Sequence, residues 1–251
     1  MNQKRLDMNC MAGSWPFHKV RQGSFAQLRR VHEKNRICGG MVSATEALFY
    51  NDPYEAELDL MRELSGCEGY RQVMTVNPQL PGWREDLDRA AEELHPAGVR
   101  IAPGLHGYGL EEIHCLAEEL IRRELPLYLT MHLEDERLAY LLQPKPVPVE
   151  EVQGLLRDHP GLRVLLCNLR LGEAMQLVED IRASENVYFD LSGMKDPLFP
   201  LEKLEGLGIL HRLVYGSFAP LLCVESTVLM VECAQADQEV KDAVFAGNGW
   251  I

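Results

Sequence analysis

The chain has 251 residues, of which 46% are hydrophobic and 25% charged, and it carries a formal net charge of −13. That length and apolar content suffice for one full hydrophobic core, which excludes a disordered chain. So acidic a surface repels phosphate backbones, and this argues against nucleic acid as a partner.

Cysteine usage points to a compartment. Cys10, Cys38, Cys67, Cys115, Cys167, Cys223 and Cys233 are odd in number, scattered, and never form a C-x-x-C pair. Cys10 and Cys167 sit inside apolar runs, where a free thiol behaves as a small hydrophobe. The expectation is a reducing, cytoplasmic setting. Met1–Arg5 is polar, and no apolar run approaches the roughly 18 residues of a membrane span, so neither a secretory signal nor a membrane association is expected.

In chain order, short apolar runs alternate with helix-period segments. Strands are predicted at Leu6–Ala12, Ile37–Ala44, Tyr70–Val76, Val99–Ala102, Leu127–Met131, Arg163–Asn168, Val187–Ser192 and Arg212–Ser217. Ser24 caps a helix running to Asn35, and Pro53 opens one that reaches Leu64. Further helices are predicted over Trp83–Leu94, Leu110–Arg123, Val149–Asp158, Leu171–Ala183, Leu201–Gly206, Leu221–Ala234 and Ala236–Ala246. The glycine-rich segment Gly104–Gly109 reads as loop. Pro144, Pro146 and Pro148 make the stretch Glu134–Glu150 a stiff excursion after the fifth strand.

Eight strand–helix units in succession imply parallel pairing with right-handed crossovers. The fold expected is α/β, a single (β/α)8 TIM barrel spanning residues 1–251 as one domain, with a doubly wound open sheet as the alternative. A homodimer is the commonest assembly for such a chain.

Barrel sites are built from the C-terminal ends of strands. Period-2 alternation along the first strand places Asp7, Asn9 and Met11 on one face, directed into the barrel, and Leu6, Met8 and Cys10 on the other. Here a family pattern emerges. Asp7, Asn9, Met11 and Gly13, followed by Trp15-Pro16-Phe17, resemble the D-x-H-x-H-x-G run of the amidohydrolase-related branch of the amidohydrolase superfamily, which includes metal-dependent acid decarboxylases. Gly98-Val99-Arg100, Leu125–Thr130, Val164–Asn168, Asn186–Gly193, Gly216-Ser217-Phe218-Ala219-Pro220 and Phe245–Gly249 resemble later segments of that family in the same order.

The resemblance implies a hydrolase or lyase, and it implies metal ligands at five positions. These are occupied by Asn9, Met11, Thr130, Asn168 and Phe218, none of them a good zinc ligand. The expectation is therefore a chain with no divalent metal cofactor. Its substrate would be a small polar, carboxylate-bearing molecule. Catalytic candidates are His106, His132 and Asp190, because imidazole titrates near neutral pH and an inward carboxylate serves as base. Substrate-binding candidates are Asn9, Arg100, Tyr108, Glu134 and Asn168. Asp135 and Arg137 are further polar groups near the mouth.

Each has a bland counterpart. Asp7 or Asp190 could form a buried, self-neutralised Asp–Arg pair with Arg100. His106 and His132 could be ordinary loop histidines, and Glu134 a helix-capping residue. His18, His32, His95, His114, His159 and His211 are assigned no role. Two rival functions follow: a non-catalytic binding or regulatory barrel, and a metal enzyme with relocated ligands such as His106, His132 and Asp190.

Overall fold

In the computed structural model, residues 4–134, 143–194 and 199–250 are described. Asp135 and Arg137 lie outside them.

The first half contains β1 (Arg5–Ala12), α1 (Phe25–Lys34), β2 (Ile37–Ala44), α2 (Pro53–Leu64), β3 (Tyr70–Gln72), β4 (Met74–Thr75) and α3 (Trp83–Glu93). There follow β5 (Val99–Ile101), α4 (Pro103–His106), α5 (His114–Arg123), β6 (Leu127–Thr130), α6 (Val149–Asp158) and β7 (Val164–Cys167). The chain continues through α7 (Leu171–Gln176), α8 (Val178–Ala183), β8 (Val187–Asp190), α9 (Pro200–Gly206), β9 (Leu213–Val214), α10 (Val224–Glu232) and α11 (Gln238–Phe245).

All strand pairs are parallel, in the orders β1-β2-β3 and β4-β5-β6-β7-β8-β9. Val73 separates β3 from β4 and donates to the Val42 carbonyl at 2.8 Å, so these two runs form one interrupted barrel strand. Met8 N to Tyr215 O at 2.8 Å, Phe218 N to Asn9 O at 2.7 Å and Met11 N to Ala219 O at 2.7 Å join the two ends. The ring is closed. The predicted TIM barrel is therefore the observed fold.

Local chemistry explains the helices. Around α1, Ser24 Oγ accepts from Gln27 N and Gln27 Oε1 accepts from Ser24 N, a reciprocal capping box. Phe25, Leu28, Val31 and His32 form its buried face, the spacing of a helix lying on a core. Asp52 accepts from Tyr54 N at 3.1 Å and Pro53 stands at the first turn of α2, where its missing N–H costs nothing.

Four local expectations are corrected. Leu110–Arg123 is a 3-10 turn followed by α5, because Glu112 bonds back to Gly109 N and closes the turn on itself. Leu171–Ala183 breaks at Leu177, whose ψ of 6° leaves the helical range. Gly104-Leu105-His106 belongs to α4, which starts at Pro103.

The fourth correction bears on the site. Asp7 pairs with Gly40 and Cys10 with Val42, leaving Met8 and Asn9 together opposite Met41. This bulge breaks the alternation of β1. Met8 and Asn9 both enter the lumen, and Asp7 turns outward to α1, where it meets His32.

The lumen then fills in layers, as a packed core rather than a pore. Met8, Met41, Tyr128, Leu165, Tyr188 and Val214 form the floor with Trp250, whose Nε1 donates to Tyr128 Oη at 3.0 Å. Residues one position along each strand, such as Leu127, Leu129, Val164, Leu166 and Phe189, face the helices in the outer core.

Candidate functional site

Above the floor lies a polar layer centred on Arg100, which is only 1% exposed. β5 carries it between outward-facing Val99 and Ile101. Its Nε donates to Ser43 Oγ at 2.8 Å, Nη1 to Thr130 Oγ1 at 3.2 Å and Nη2 to Asn9 Oδ1 at 2.6 Å. Asn9 Nδ2 in turn donates to Asp190. Arg100 and Asp190 are thus linked through an amide rather than paired directly, which corrects the expected Asp–Arg contact.

Asp190 is fully buried and accepts Asn168 N at 3.1 Å, Ser192 N at 2.8 Å and Ser192 Oγ at 2.6 Å. Burial pushes its carboxyl up to about 6, against the lowering effect of Ser192, Asn9 and Asn168. Gly216 makes room here: a Cβ on it would lie 2.8 Å from that of Asp190 and 2.9 Å from that of Asn9.

Met11, Trp15, Leu48, Ala102, Leu133 and Phe218 cover this layer on the mouth side. Trp15, Phe17 and Phe49 pack edge to face at 5.3–5.9 Å, so the Trp15-Pro16-Phe17 run closes over the mouth as its apolar character suggests.

The segment after β6 and the first turn of α7, which follows β7, bring His132 and Glu173 together. His132 Nε2 lies 2.6 Å from Glu173 Oε1, with side chains 5% and 16% exposed. Both partners are held. Asn168, in the left-handed region at φ 59°, donates Nδ2 to the His132 carbonyl at 2.7 Å. Glu173 Oε2 accepts Arg170 N at 2.9 Å, capping α7. Glu173 was not among the sequence candidates. Its signal was an acidic residue in the first turn after a barrel strand.

The remaining candidates are dispersed. His106, at the end of α4, has Nε2 2.9 Å from the Leu48 carbonyl and a buried Nδ1 without a partner. Burial lowers its pKa, opposed by the Leu48 bond. Tyr108 stacks on His106 at 6.2 Å, its hydroxyl buried and unpartnered, and burial pushes that hydroxyl far up. Glu134 meets His18 Nε2 at 3.1 Å, and burial raises its carboxyl while His18 opposes the shift. None of these is hydrogen-bonded to His132.

Two other buried groups escaped the sequence reading. Glu57, on α2, accepts Gln72 Nε2 at 2.6 Å and Thr75 N at 2.8 Å, and burial pushes it up to about 7. A glutamate on the buried face of α2, between Tyr54 and Leu60, was the available sign. Asp7, Cys10 and His32 form the other group. Their ligand atoms lie within 4.8 Å of one another, and all three residues are buried.

The lumen does not fit a divalent cation at the family's positions. Asn9 and Thr130 oxygens already accept from a guanidinium, the Asn168 amide is engaged, and Met11 and Phe218 lie in apolar packing.

A barrel closed in this way has the fold of several solved structures. The chain is similar to 5-carboxyvanillate decarboxylase from Sphingomonas paucimobilis, at 12% identity and a TM-score of 0.73, with 98% of each chain covered. It is similar to an uncharacterized TIM-barrel protein from Bordetella bronchiseptica, at 11% identity and a TM-score of 0.74, covering 98% of this chain and 96% of that one. A dihydroxybenzoic acid decarboxylase from a Polaromonas species, with bound manganese and 2-nitroresorcinol, matches at 14% identity and a TM-score of 0.67, covering 98% and 95%. At sequence level no family model and no curated protein matches.

The expectation of a chain without a metal cofactor is thereby corrected. Manganese is bound in a protein of this fold, and Asp7, Cys10 and His32 offer three ligand atoms in one place. These three residues belong neither to the five ligand positions that the resemblance implies nor to the relocated set His106, His132 and Asp190. No helix among the described residues is long and apolar enough to cross a membrane.

Proposed function

We propose that the protein is a lyase or hydrolase acting on a small carboxylate-bearing molecule, and that His132 and Glu173 form its proton-transfer pair. The observation that carries this reading is the 2.6 Å contact between them at the mouth of a barrel shared with aromatic-acid decarboxylases. An imidazole held by a carboxylate has a fixed orientation, which aims its ring at a bound substrate. In decarboxylation His132 would deliver a proton to the ring carbon bearing the carboxylate. The bond to that carboxylate would then break, releasing carbon dioxide and returning its electron pair to the ring.

Arg100 supplies positive potential below the mouth, with Asn9 and Asn168 fixing its surroundings and Asp190 balancing its charge. His106, Tyr108 and Glu134 contribute the rim. A first substrate panel is 5-carboxyvanillate, dihydroxybenzoates and simple aryl esters and lactones, assayed with added manganese or zinc. Turnover that falls by roughly 10²–10⁴-fold in His132→Gln and Glu173→Gln supports the assignment. Turnover unchanged in both variants removes the pair from the reaction.

A second reading, a non-catalytic binding barrel, draws on the apolar cover of Met11, Trp15 and Phe218 over the Arg100 layer. Tight binding of an aromatic acid without turnover of any panel member favours it.

A further inference from the structure

The geometry points to a thiolate-containing divalent-cation site outside the lumen, made by Asp7 and Cys10 of β1 and His32 of α1, with zinc the ion of matching chemistry. It does not rest on the proposed activity. Among the described residues this is the one group in which three such ligand atoms lie within 4.8 Å of one another.

The bulge in β1 creates it. Two residues, Met8 and Asn9, intervene between Asp7 and Cys10, yet both of the latter face α1. Bonds of about 2.0–2.3 Å in a tetrahedron place ligand atoms roughly 3.4 Å apart. His32 Nε2 and Asp7 Oδ2 already stand at 3.1 Å.

The charges also match. Asp7 and a Cys10 thiolate carry two negative charges and neutral imidazole none, so a divalent ion leaves the buried group neutral. Buried charge persists only where it is paired or bound to metal. Cys10 loses one proton to solvent as the ion enters. A mixed sulfur, nitrogen and oxygen set favours zinc over magnesium, calcium or manganese.

Outer groups hold the ligands. His32 Nδ1 lies 3.1 Å from Tyr70 Oη, and with Nδ1–H donating there, Nε2 presents its lone pair to the ion. Ser217 donates to Asp7 through N at 3.0 Å and Oγ at 2.5 Å, which holds the carboxylate in place. The ion would pin β1 to α1 beside the seam where the barrel closes.

The test is titration of chelator-stripped protein with cobalt(II) and zinc(II). The expected result is one ion per chain and a thiolate-to-cobalt charge-transfer band that vanishes in Cys10→Ser. Tyr70→Phe should weaken binding roughly 10–100-fold, as loss of an outer-shell partner does. If Cys10→Ser fails to fold, X-ray absorption of the zinc-loaded wild type decides, with one sulfur neighbour expected. No stoichiometric uptake, a band that survives in Cys10→Ser, or a shell containing only nitrogen and oxygen overturns the assignment.

Discussion

Replacing Arg100 with methionine probes the polar layer most directly. The substitution roughly keeps the length of the side chain but removes its charge and all its donors. Asn9 Oδ1, Ser43 Oγ and Thr130 Oγ1 then lose the guanidinium that satisfies them, and Asp190 loses the cation one amide away. Removing one partner from a buried charged network costs about 3–5 kcal/mol. For a domain of this size each kcal/mol lowers Tm by about 2–4 °C, so a fall of roughly 6–20 °C is expected by calorimetry.

Asp190→Asn alone and the double variant complete a cycle. If the layer acts as a unit, the double variant is less destabilised than the sum by about 0.5–3 kcal/mol. An Arg100→Met shift below roughly 3 °C, or additivity within about 0.5 kcal/mol, refutes the network.

Two further outcomes follow from the buried carboxyls and from Gly216. Glu57 is raised from 4.5 to about 7 and Asp190 from 3.8 to about 6, so the folded chain holds protons that the unfolded chain has released. Stability should therefore be greatest below those windows and decline as pH rises through them, by at most about 1.4 kcal/mol per pH unit for each group. Glu57→Gln should flatten the decline between pH 5 and 7 in urea unfolding curves, and an unchanged slope would count against the shift. Gly216→Ala places a methyl group against Asp190 and Asn9 and should cost about 1–3 kcal/mol, read as a lower urea midpoint. A midpoint equal to wild type would show that the layer can open.

The barrel was legible because its signal is repetitive. Each buried strand is a short apolar run, and Asp190, expected from alternation to point inward, lies fully buried in the polar layer while its neighbour Phe189 faces the helices. One inserted residue in β1 defeated the same rule, reversing Asp7 and Met8, because a bulge leaves no mark in hydrophobicity. His132 could be placed at the mouth from its position after a strand, but Glu173 is 41 residues away and met it only through the fold. His32 looked like one more polar residue on a helix. Its contact with Asp7 depends on how α1 lies across β1, a relation that periodicity does not encode.

The closing seam has a kinetic corollary. Ser217 and Asp7 are 210 positions apart, and the hydrogen bonds that shut the ring form beside them. Bringing such distant segments together carries a large loop entropy and comes late in assembly. Until it does, the sheet has two raw edges, at β1 and at β9, each able to pair with another molecule. Dilute refolding therefore favours the monomeric ring, and crowding at that stage favours intermolecular pairing.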